Sequence, residues 1–395
     1  MQQNKLPQLS IEEKIQNNRI TKHLRELIKK RNTISFSRFM NEVLYSTNLG
    51  YYTSKKKKIG RLGDFTTIPE SSVLFNQTFA KEFSKIIHQL GKETIIVEFG
   101  AGTGKFAAEC LKTLNDLNSL PKAYYIIEIS PTLTLQQKKM LKQTVSFYQK
   151  IFWKTTVPFV QYPAIVFLNE VLDAMPIELF RFRDNRYIQM VVDYENNSFI
   201  LKENMETNER FNRICKHLLN IHHNQKNTEI YQSEINLRIK GWLRQLKNFL
   251  NQGIIFICDY GYQESLYYSE ERTKGTLQCY YKHRVHEDPM INLGVQDITA
   301  HVNFTKVAEH ACKSGFKLEG FATQGNFLVE AGILLQYEKL VQEIGEKYHL
   351  QLTQELQQLT LGSLSERFKV MALSCKMEQG LITKTFENID QSYCL

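Results

Sequence analysis

Short, almost wholly apolar runs recur through the middle of the chain, each followed by a helix-patterned or polar segment. They are residues 94–99 (TIIVEF), 123–129 (AYYIIEI), 162–169 (YPAIVFLN) and 253–259 (GIIFICD). Runs of this length and composition are typical of strands that are buried on both faces of a parallel sheet. Strands alternating with helices predict an α/β fold with a doubly wound sheet.

The segments outside these runs have a helical pattern. Ser10 followed by Glu13 is a capping box that opens one helix, and a second short helix is predicted after Ser35. We therefore predict a helical N-terminal segment over residues 1–60, a possible lid, and a core over residues 61–335. The stretch 178–250 is too long for an ordinary connection and is predicted as a helical insertion, with a strand at 187–193 followed by polar helices. Residues 336–395 are predicted as a helical extension.

Composition excludes several classes of protein. Hydrophobic residues make up 42% and charged residues 23% of the 395-residue chain, as in soluble globular proteins. No apolar run approaches the roughly 18 residues of a membrane-spanning helix. The net charge of +9 is spread over a mixed surface, and its densest stretch is residues 55–58 (KKKK). We interpret that run as a solvated loop, with nucleic-acid binding as a weaker alternative.

The cysteines and the first residues of the chain both give information about the cellular compartment of the protein. Seven dispersed cysteines without a C-x-x-C pair indicate reduced thiols. The cluster Cys215, His217, His222 and His223 lacks the character of a zinc site, so no metal is predicted. The chain opens without an apolar signal region, and early acidic residues argue against an import peptide. We therefore expect a cytoplasmic protein.

A glycine-rich turn follows the first predicted strand. Gly100, Gly102 and Gly104 stand between this strand and a helix, and Glu98 comes two residues before the first glycine. A dinucleotide site would carry G-x-G-x-x-G, but here the third glycine comes one residue early. An acid in this place suits the ammonium group of S-adenosylmethionine (SAM) better than a pyrophosphate. The alternatives are a dinucleotide and an ordinary packing turn.

A second acidic residue also favours SAM as the ligand. Glu128 stands at the end of the second predicted strand, where a carboxylate can accept hydrogen bonds from both ribose hydroxyls. The order of strand, acid, glycines, helix, strand and acid therefore favours SAM as the cofactor.

Acidic residues also follow the strand at 162–169. Asn169, Glu170 and Asp173 come at its end, where ligands bind in open α/β sheets. Glu170 and Asp173 would share a face of a helical turn, and paired carboxylates can hold a guanidinium group. The simpler interpretation is helix capping. The loop 63–70 (GDFTTIPE) contains Asp64 and could cover the cofactor.

Taken together, these strings resemble the MidA family of SAM-dependent methyltransferases, which includes a mitochondrial complex I assembly factor that methylates arginine. The resemblance covers about residues 34–335. The matching segments include GRLGDFTTIPE (60–70), VEFGAGTGKFA (97–107), YYIIEISPTL (124–133), FLNEVLDAMP (167–176), CDYGY (258–262), GVQDITAHVNFT (294–305) and TQGNFL (323–328). Ile68, Ser71, Asn76 and Asn303 depart from the family pattern.

The resemblance implies a class I (Rossmann-like, seven-stranded) methyltransferase core with SAM as methyl donor. It implies that the residues at SAM are Glu98, Gly100, Gly102, Gly104 and Glu128. It places Asp64, Asn169, Glu170 and Asp173 around the methyl group or the acceptor. An arginine side chain of a partner protein is the implied acceptor. The alternatives are methylation of RNA or a small molecule, and a non-catalytic assembly factor that binds SAM.

Overall fold

A computed structural model describes residues 6–54, 56, 58, 60, 63, 64, 66–157, 161–204, 209–218, 231–343, 345, 348–377 and 384–395. Its helices are α1 Ile11–Arg31, α2 Phe36–Tyr45, α3 Ile68–Ser71, α4 Val73–Leu90, α5 Lys105–Asp116, α6 Pro131–Thr144, α7 Glu209–Leu218, α8 Ile239–Phe249, α9 Glu264–Tyr267, α10 Phe304–Lys313, α11 Gln324–Glu330, α12 Ile333–Glu343, α13 His349–Thr360 and α14 Ser363–Arg367. Its strands are β1 Ile34–Ser35, β2 Ile95–Phe99, β3 Tyr124–Ile127, β4 Ile151–Lys154, β5 Ala164–Asn169, β6 Glu178–Arg183, β7 Arg186–Glu195, β8 Ser198–Glu203, β9 Tyr231–Ile235, β10 Gly253–Tyr262, β11 Gln278–Tyr281, β12 Arg284–His286, β13 Asp297–Thr299, β14 Val302–Asn303, β15 Lys317–Thr323 and β16 Phe368–Cys375.

The chain folds into two compact units, each of which is made of separate stretches of sequence. Unit 1 comprises Met1–Phe65, Asp173–Ile239 and Tyr262–His301. Unit 2 comprises Thr66–Leu172, Lys240–Gly261 and Val302–Leu395. No helix among the described residues is long and apolar enough to cross a bilayer.

Unit 2 contains the predicted parallel sheet. Its strands run in the order β4-β3-β2-β5-β10-β16-β15, and β14 pairs with β10 beside this path. Neighbouring strands from β4 to β10 are parallel, and β16 is antiparallel to both of its neighbours. The order changes direction between β2 and β5, and such a switch point is where doubly wound sheets bind ligands. The predicted α/β fold of the seven-stranded class I type is confirmed.

The predicted strands and helices of this sheet lie within a few residues of the observed ones. The buried strands follow from their apolar composition, because helices cover both faces of the sheet. The prediction that residues 336–395 are helical is wrong at its centre, since Phe368–Cys375 forms β16. This strand pairs with β10 along its whole length, so its apolar residues belong to the sheet core.

Unit 1 contains two smaller sheets. One runs in the order β1-β7-β6-β9, with β8 paired to β7, and the other in the order β12-β11-β13. The predicted insertion at 178–250 contributes β6 to β9 to the first sheet. The strand predicted at 187–193 lies within β7. The described remainder of the insertion contains β6, β8 and β9 as well as the helices α7 and α8, so it is not made of polar helices alone.

The N-terminal helices belong to the core of unit 1. The predicted capping box is present, because Glu13 N donates to Ser10 Oγ at 3.2 Å and Ser10 N donates to Glu13 Oε2 at 2.8 Å. Ile20, Leu24 and Ile28 of α1 are buried in a cluster with residues of α2, β6, β7 and β13. Residues 1–60 are thus an integral part of unit 1, and their action as a lid stays a prediction.

Replacing Leu24 with alanine tests whether α1 is structural. Leu24 is fully buried, and removing a buried leucine side chain leaves a cavity that costs about 2–5 kcal/mol. We expect Leu24→Ala to lower the free energy of unfolding by that amount in denaturant titration. The control is Ile15→Ala on the exposed side of the same helix, with an expected change of about 0.5 kcal/mol or less. Equal effects of the two variants would contradict the placement of α1 in the core.

Candidate functional site

The glycine loop connects β2 to α5 in unit 2. Gly100, Gly102 and Gly104 have φ angles of 62°, 54° and 91°, in the left-handed region that favours glycine. A Cβ atom on Gly104 would lie 3.0 Å from the Met140 Cε atom. The three glycines therefore let the chain turn tightly at the carboxyl end of β2 while α6 packs against it.

Glu98 is a buried carboxylate on β2, directly before this loop. It accepts a hydrogen bond from the Tyr124 hydroxyl at 2.7 Å. Burial, with smaller contributions from Glu70 and Glu128, raises the pKa of Glu98 to about 8. Among the described residues, no Lys, Arg or His lies within ion-pair distance of Glu98. A bound cation would stabilise its charged form, so the site fits the ammonium group of SAM.

Glu70 of α3 fastens the glycine loop. Its Oε1 atom accepts from the Thr103 backbone N–H at 2.7 Å, and its Oε2 atom accepts from the Thr103 hydroxyl at 2.8 Å. Lys105 Nζ donates to the Glu70 backbone oxygen at 2.8 Å. Asn76, which departs from the family pattern, donates from Nδ2 to the Pro69 oxygen at 2.9 Å and so secures α3. The loop 63–70 therefore reaches the glycine loop through Glu70.

Glu128 is held in place at the end of β3. Its Oε1 atom accepts from the Ser130 backbone N–H at 2.8 Å, and its Oε2 atom accepts from Gln137 Nε2 at 3.0 Å. Gln137 Nε2 also donates to the Gly102 oxygen at 2.9 Å, and its Oε1 atom accepts from Trp153 Nε1 at 3.0 Å. Gln137 thus links the two predicted cofactor elements. The sequence analysis missed it because a glutamine in a polar-looking helix carries no distinguishing signal.

The residues after β5 have an unusual backbone. Glu170 has a φ angle of 51°, which is rare for a residue with a side chain and costs about 1–3 kcal/mol. Asn169 Nδ2 donates to Glu170 Oε1 at 3.0 Å. Asp259 of β10 accepts through Oδ2 from the backbone N–H groups of Val171 and Leu172 at 3.2 and 2.9 Å. Strained residues held in this way are concentrated at active sites, which supports a functional role for Glu170.

Asp64 lies in unit 1 and is fully buried. Its Oδ2 atom accepts from the Tyr51 hydroxyl at 2.8 Å. Its Oδ1 atom accepts from Lys56 Nζ at 2.8 Å and from the Lys282 backbone N–H at 2.9 Å. Both oxygens are engaged within the chain, so these contacts fit a role in shaping the loop. A role of Asp64 at the acceptor stays a prediction.

Asp173 also lies in unit 1, whereas Asn169 and Glu170 lie in unit 2. The Asp173 side chain is buried, and its backbone oxygen accepts from the Ala300 N–H at 3.0 Å. The helical turn that would put Glu170 and Asp173 on one face does not form, because residues 170–174 adopt turns instead.

Lys56 and Lys58, the two described residues of the lysine run, are largely withdrawn from solvent, whereas the sequence indicated a solvated loop. Lys56 pairs with Glu13 at 3.1 Å in addition to Asp64. Lys58 is 1% exposed and donates to the backbone oxygens of Ser54 and Lys56 at 2.8 and 3.0 Å. Residues 55 and 57 lie outside the described residues. The two described lysines therefore stabilise unit 1 and do not form an exposed surface for nucleic acid.

The cysteine and histidine cluster can be followed only in part. Cys215 and His217 lie in α7, and the positions 222 and 223 fall outside the described residues. Within the part of the chain that the structure describes, no group of three or more His, Cys, Asp or Glu side chains is arranged to hold a metal ion.

Comparisons with known proteins agree with this architecture. A family described as "Putative S-adenosyl-L-methionine-dependent methyltransferase" matches residues 78–322. A Burkholderia thailandensis protein crystallised with S-adenosyl-homocysteine is 30% identical, with a TM-score of 0.90 over 99% of this chain and 100% of that protein. Protein arginine methyltransferase NDUFAF7 of Danio rerio is 26% identical over 384 residues, covering 90% of this chain and 87% of the relative. The Homo sapiens counterpart is 25% identical over 385 residues, covering 89% and 82%.

The expectation of a cytoplasmic protein is wrong. The NDUFAF7 proteins of Danio rerio, Rattus norvegicus and Homo sapiens are all named as mitochondrial. The expectation rested partly on the early acidic residues. Glu13 belongs to the cap of a helix in the core of unit 1, so its charge reflects folding and gives no information about targeting.

The raised pKa of Glu98 predicts how the stability of the protein depends on pH. Its pKa of about 8 lies above the ordinary value of 4.5. Its stabilising contribution is therefore complete below about pH 4.5 and is lost as pH rises through 8. We expect the melting temperature of the ligand-free protein to fall more steeply between about pH 5 and 8 in the wild type than in Glu98→Gln, which stays neutral. The exposed control Glu93→Gln should follow the wild type, and equal slopes for Glu98→Gln and the wild type would refute the prediction.

Proposed function

The chain belongs to this family of SAM-dependent methyltransferases, and from that premise we propose that it methylates an arginine side chain of a partner protein. The observation that carries the proposal is Glu170, a carboxylate residue with a strained backbone at the carboxyl end of β5. The names of the Danio rerio and Homo sapiens relatives, protein arginine methyltransferases, support arginine as the acceptor.

The part of the site that binds SAM is arranged by Glu98, Glu70 and Gln137. The glycine loop offers backbone groups at the end of β2, and Glu98 attracts the ammonium group of the ligand. Glu128, which the hydrogen bonds from Ser130 and Gln137 orient, accepts from the ribose hydroxyls. The Glu70 and Gln137 hydrogen bonds hold the loop in one conformation, so little reorganisation is needed when the ligand binds.

The acceptor side requires carboxylates because a guanidinium group stays protonated in proteins. When bound, SAM supplies a methyl group on a positively charged sulfur, and transfer to the nitrogen leaves the electron pair on the sulfur. Glu170 accepts N–H groups of the guanidinium and so leaves one nitrogen facing the methyl group. As the N–CH3 bond forms, Glu170 receives the proton that this nitrogen releases. Asn169 donates to Glu170 and fixes the carboxylate orientation. Asp173 and Asp64 remain part of this proposal as acceptor residues.

Replacing Glu170 with glutamine tests the proposal. The change preserves shape but removes the charge, so we expect methyl transfer to fall by about 100-fold or more. SAM affinity should stay near the wild-type value, because Glu170 is not assigned to the cofactor. Transfer of labelled methyl from SAM to an arginine-containing peptide library, followed by mass spectrometry of the products, measures both rate and position.

The matched control is Glu109→Gln on α5, where the carboxylate pairs with Lys112 at 3.0 Å. It should leave turnover unchanged. Methyl groups found on residues other than arginine would refute the choice of acceptor. Equal turnover in Glu170→Gln and the wild type would refute the role of Glu170. A wild-type protein that binds SAM but transfers no methyl group would favour the non-catalytic assembly factor.

A further inference from the structure

Unit 1 contains a group of polar side chains around β13, which we call the β13 cluster. Asp173, Asp297 and Thr299 are buried, and Tyr45 and Tyr52 are partly buried. Tyr52 donates from its hydroxyl to both carboxylate oxygens of Asp297 at 2.9 Å. Tyr45 donates to the Ala174 backbone oxygen at 2.7 Å, directly after Asp173. The rings of Tyr45 and Tyr52 stack with their centroids 5.4 Å apart.

Asp297 is a buried carboxylate on β13. It is 3% exposed, and among the described residues no Lys, Arg or His lies within ion-pair distance of it. Burial, with contributions from the nearby Asp173 and Asp64, raises the pKa of Asp297 to about 7. Lys56, a nearby cation in unit 1, is already held by Asp64 and Glu13. Burying a charged carboxylate in these surroundings costs free energy unless a positively charged group binds beside it.

Thr299 gives an independent indication of a ligand. It is 3% exposed, and its Oγ1 atom is buried without a hydrogen-bond partner among the described residues. Alternate residues of a strand point to the same face, so Thr299 and Asp297 share one face of β13. A buried hydroxyl without a partner costs about 1–3 kcal/mol. A ligand that carries hydrogen-bond donors would remove this cost.

We propose that Asp297 and Thr299, together with Asp173, bind the guanidinium group of an arginine side chain within unit 1. This inference rests on the proposed function for its choice of ligand, and it names two arginine-binding residues that the proposed function does not include. A guanidinium has five N–H donors and no acceptor, and the cluster offers carboxylate and hydroxyl oxygens to receive them. Its planar cation also packs well on aromatic rings such as those of Tyr45 and Tyr52.

The binding of acetyl-arginine amide to the full-length protein, saturated with S-adenosyl-homocysteine, tests this inference. Acetyl-citrulline amide has nearly the same shape without the charge and serves as the control ligand. Titration calorimetry should show binding of the arginine compound only. We expect Asp297→Asn to weaken it by about tenfold or more, since a charge-assisted hydrogen bond is lost. Thr299→Val should weaken it by about threefold or more while leaving S-adenosyl-homocysteine affinity unchanged.

Two further controls separate binding from folding. Asp193→Asn removes a carboxylate of unit 1 that pairs with Lys202 on the surface, and it should leave binding unchanged. Thr299→Val removes a hydroxyl without a partner, so the ligand-free protein should keep or gain thermal stability.

The outcomes distinguish this inference from the proposed function. Arginine binding that is equally strong in wild type, Asp297→Asn and Thr299→Val would overturn the inference and leave arginine as acceptor. Equal binding of the citrulline compound would overturn the assignment of a charged pocket. Absence of arginine binding by the wild type would count against both the inference and the choice of acceptor.

Discussion

The constraint that shapes the candidate cofactor site of unit 2 is a buried carboxylate, Glu98, on β2 of the sheet. Its side chain has one strong hydrogen bond from Tyr124 and no described cation within ion-pair distance. Because Glu70 and Glu128 add negative potential, the charged form is disfavoured until a cation binds. The Glu70–Thr103 contacts fix the glycine loop that follows Glu98, and Gln137 joins this loop to Glu128. We therefore interpret the cofactor site as one prepared for positive charge rather than as a phosphate cradle.

Much of this site could be predicted from the sequence because it depends on local chain properties. A capping box, a glycine turn and an apolar strand are each read from a few adjacent residues, and Ser10, Gly102 and Glu98 were identified in that way. Gln137 was not identifiable because its role arises from contacts with residues far along the chain. The strand β16 was missed because a short apolar run carries no periodicity that separates a strand from a helix.

Unit 1 shows a second limit of sequence reasoning. Its acidic and tyrosine residues come from distant segments, and only the fold brings Asp173, Asp297 and Tyr52 together. Lys56 and Lys58 form a charge run in the sequence, yet in the structure they donate hydrogen bonds to Asp64 and Ser54.

In unit 2, Asn303 also departs from the family pattern. It caps α10 by accepting from the Lys306 N–H at 3.1 Å, as an aspartate could. The structural role of a charged or substituted residue thus depends on its neighbours in the folded chain.

Proton release during SAM binding tests the central claim most directly. Calorimetric titrations at about pH 7 in buffers of different ionisation enthalpy give the number of protons released for each ligand bound. Since Glu98 is mainly protonated in the ligand-free protein at this pH, the binding of a cation should release most of one proton. The Glu98→Gln variant should bind SAM more weakly and release none. Proton release that is absent in the wild type, or unchanged in the variant, would contradict a site organised around Glu98.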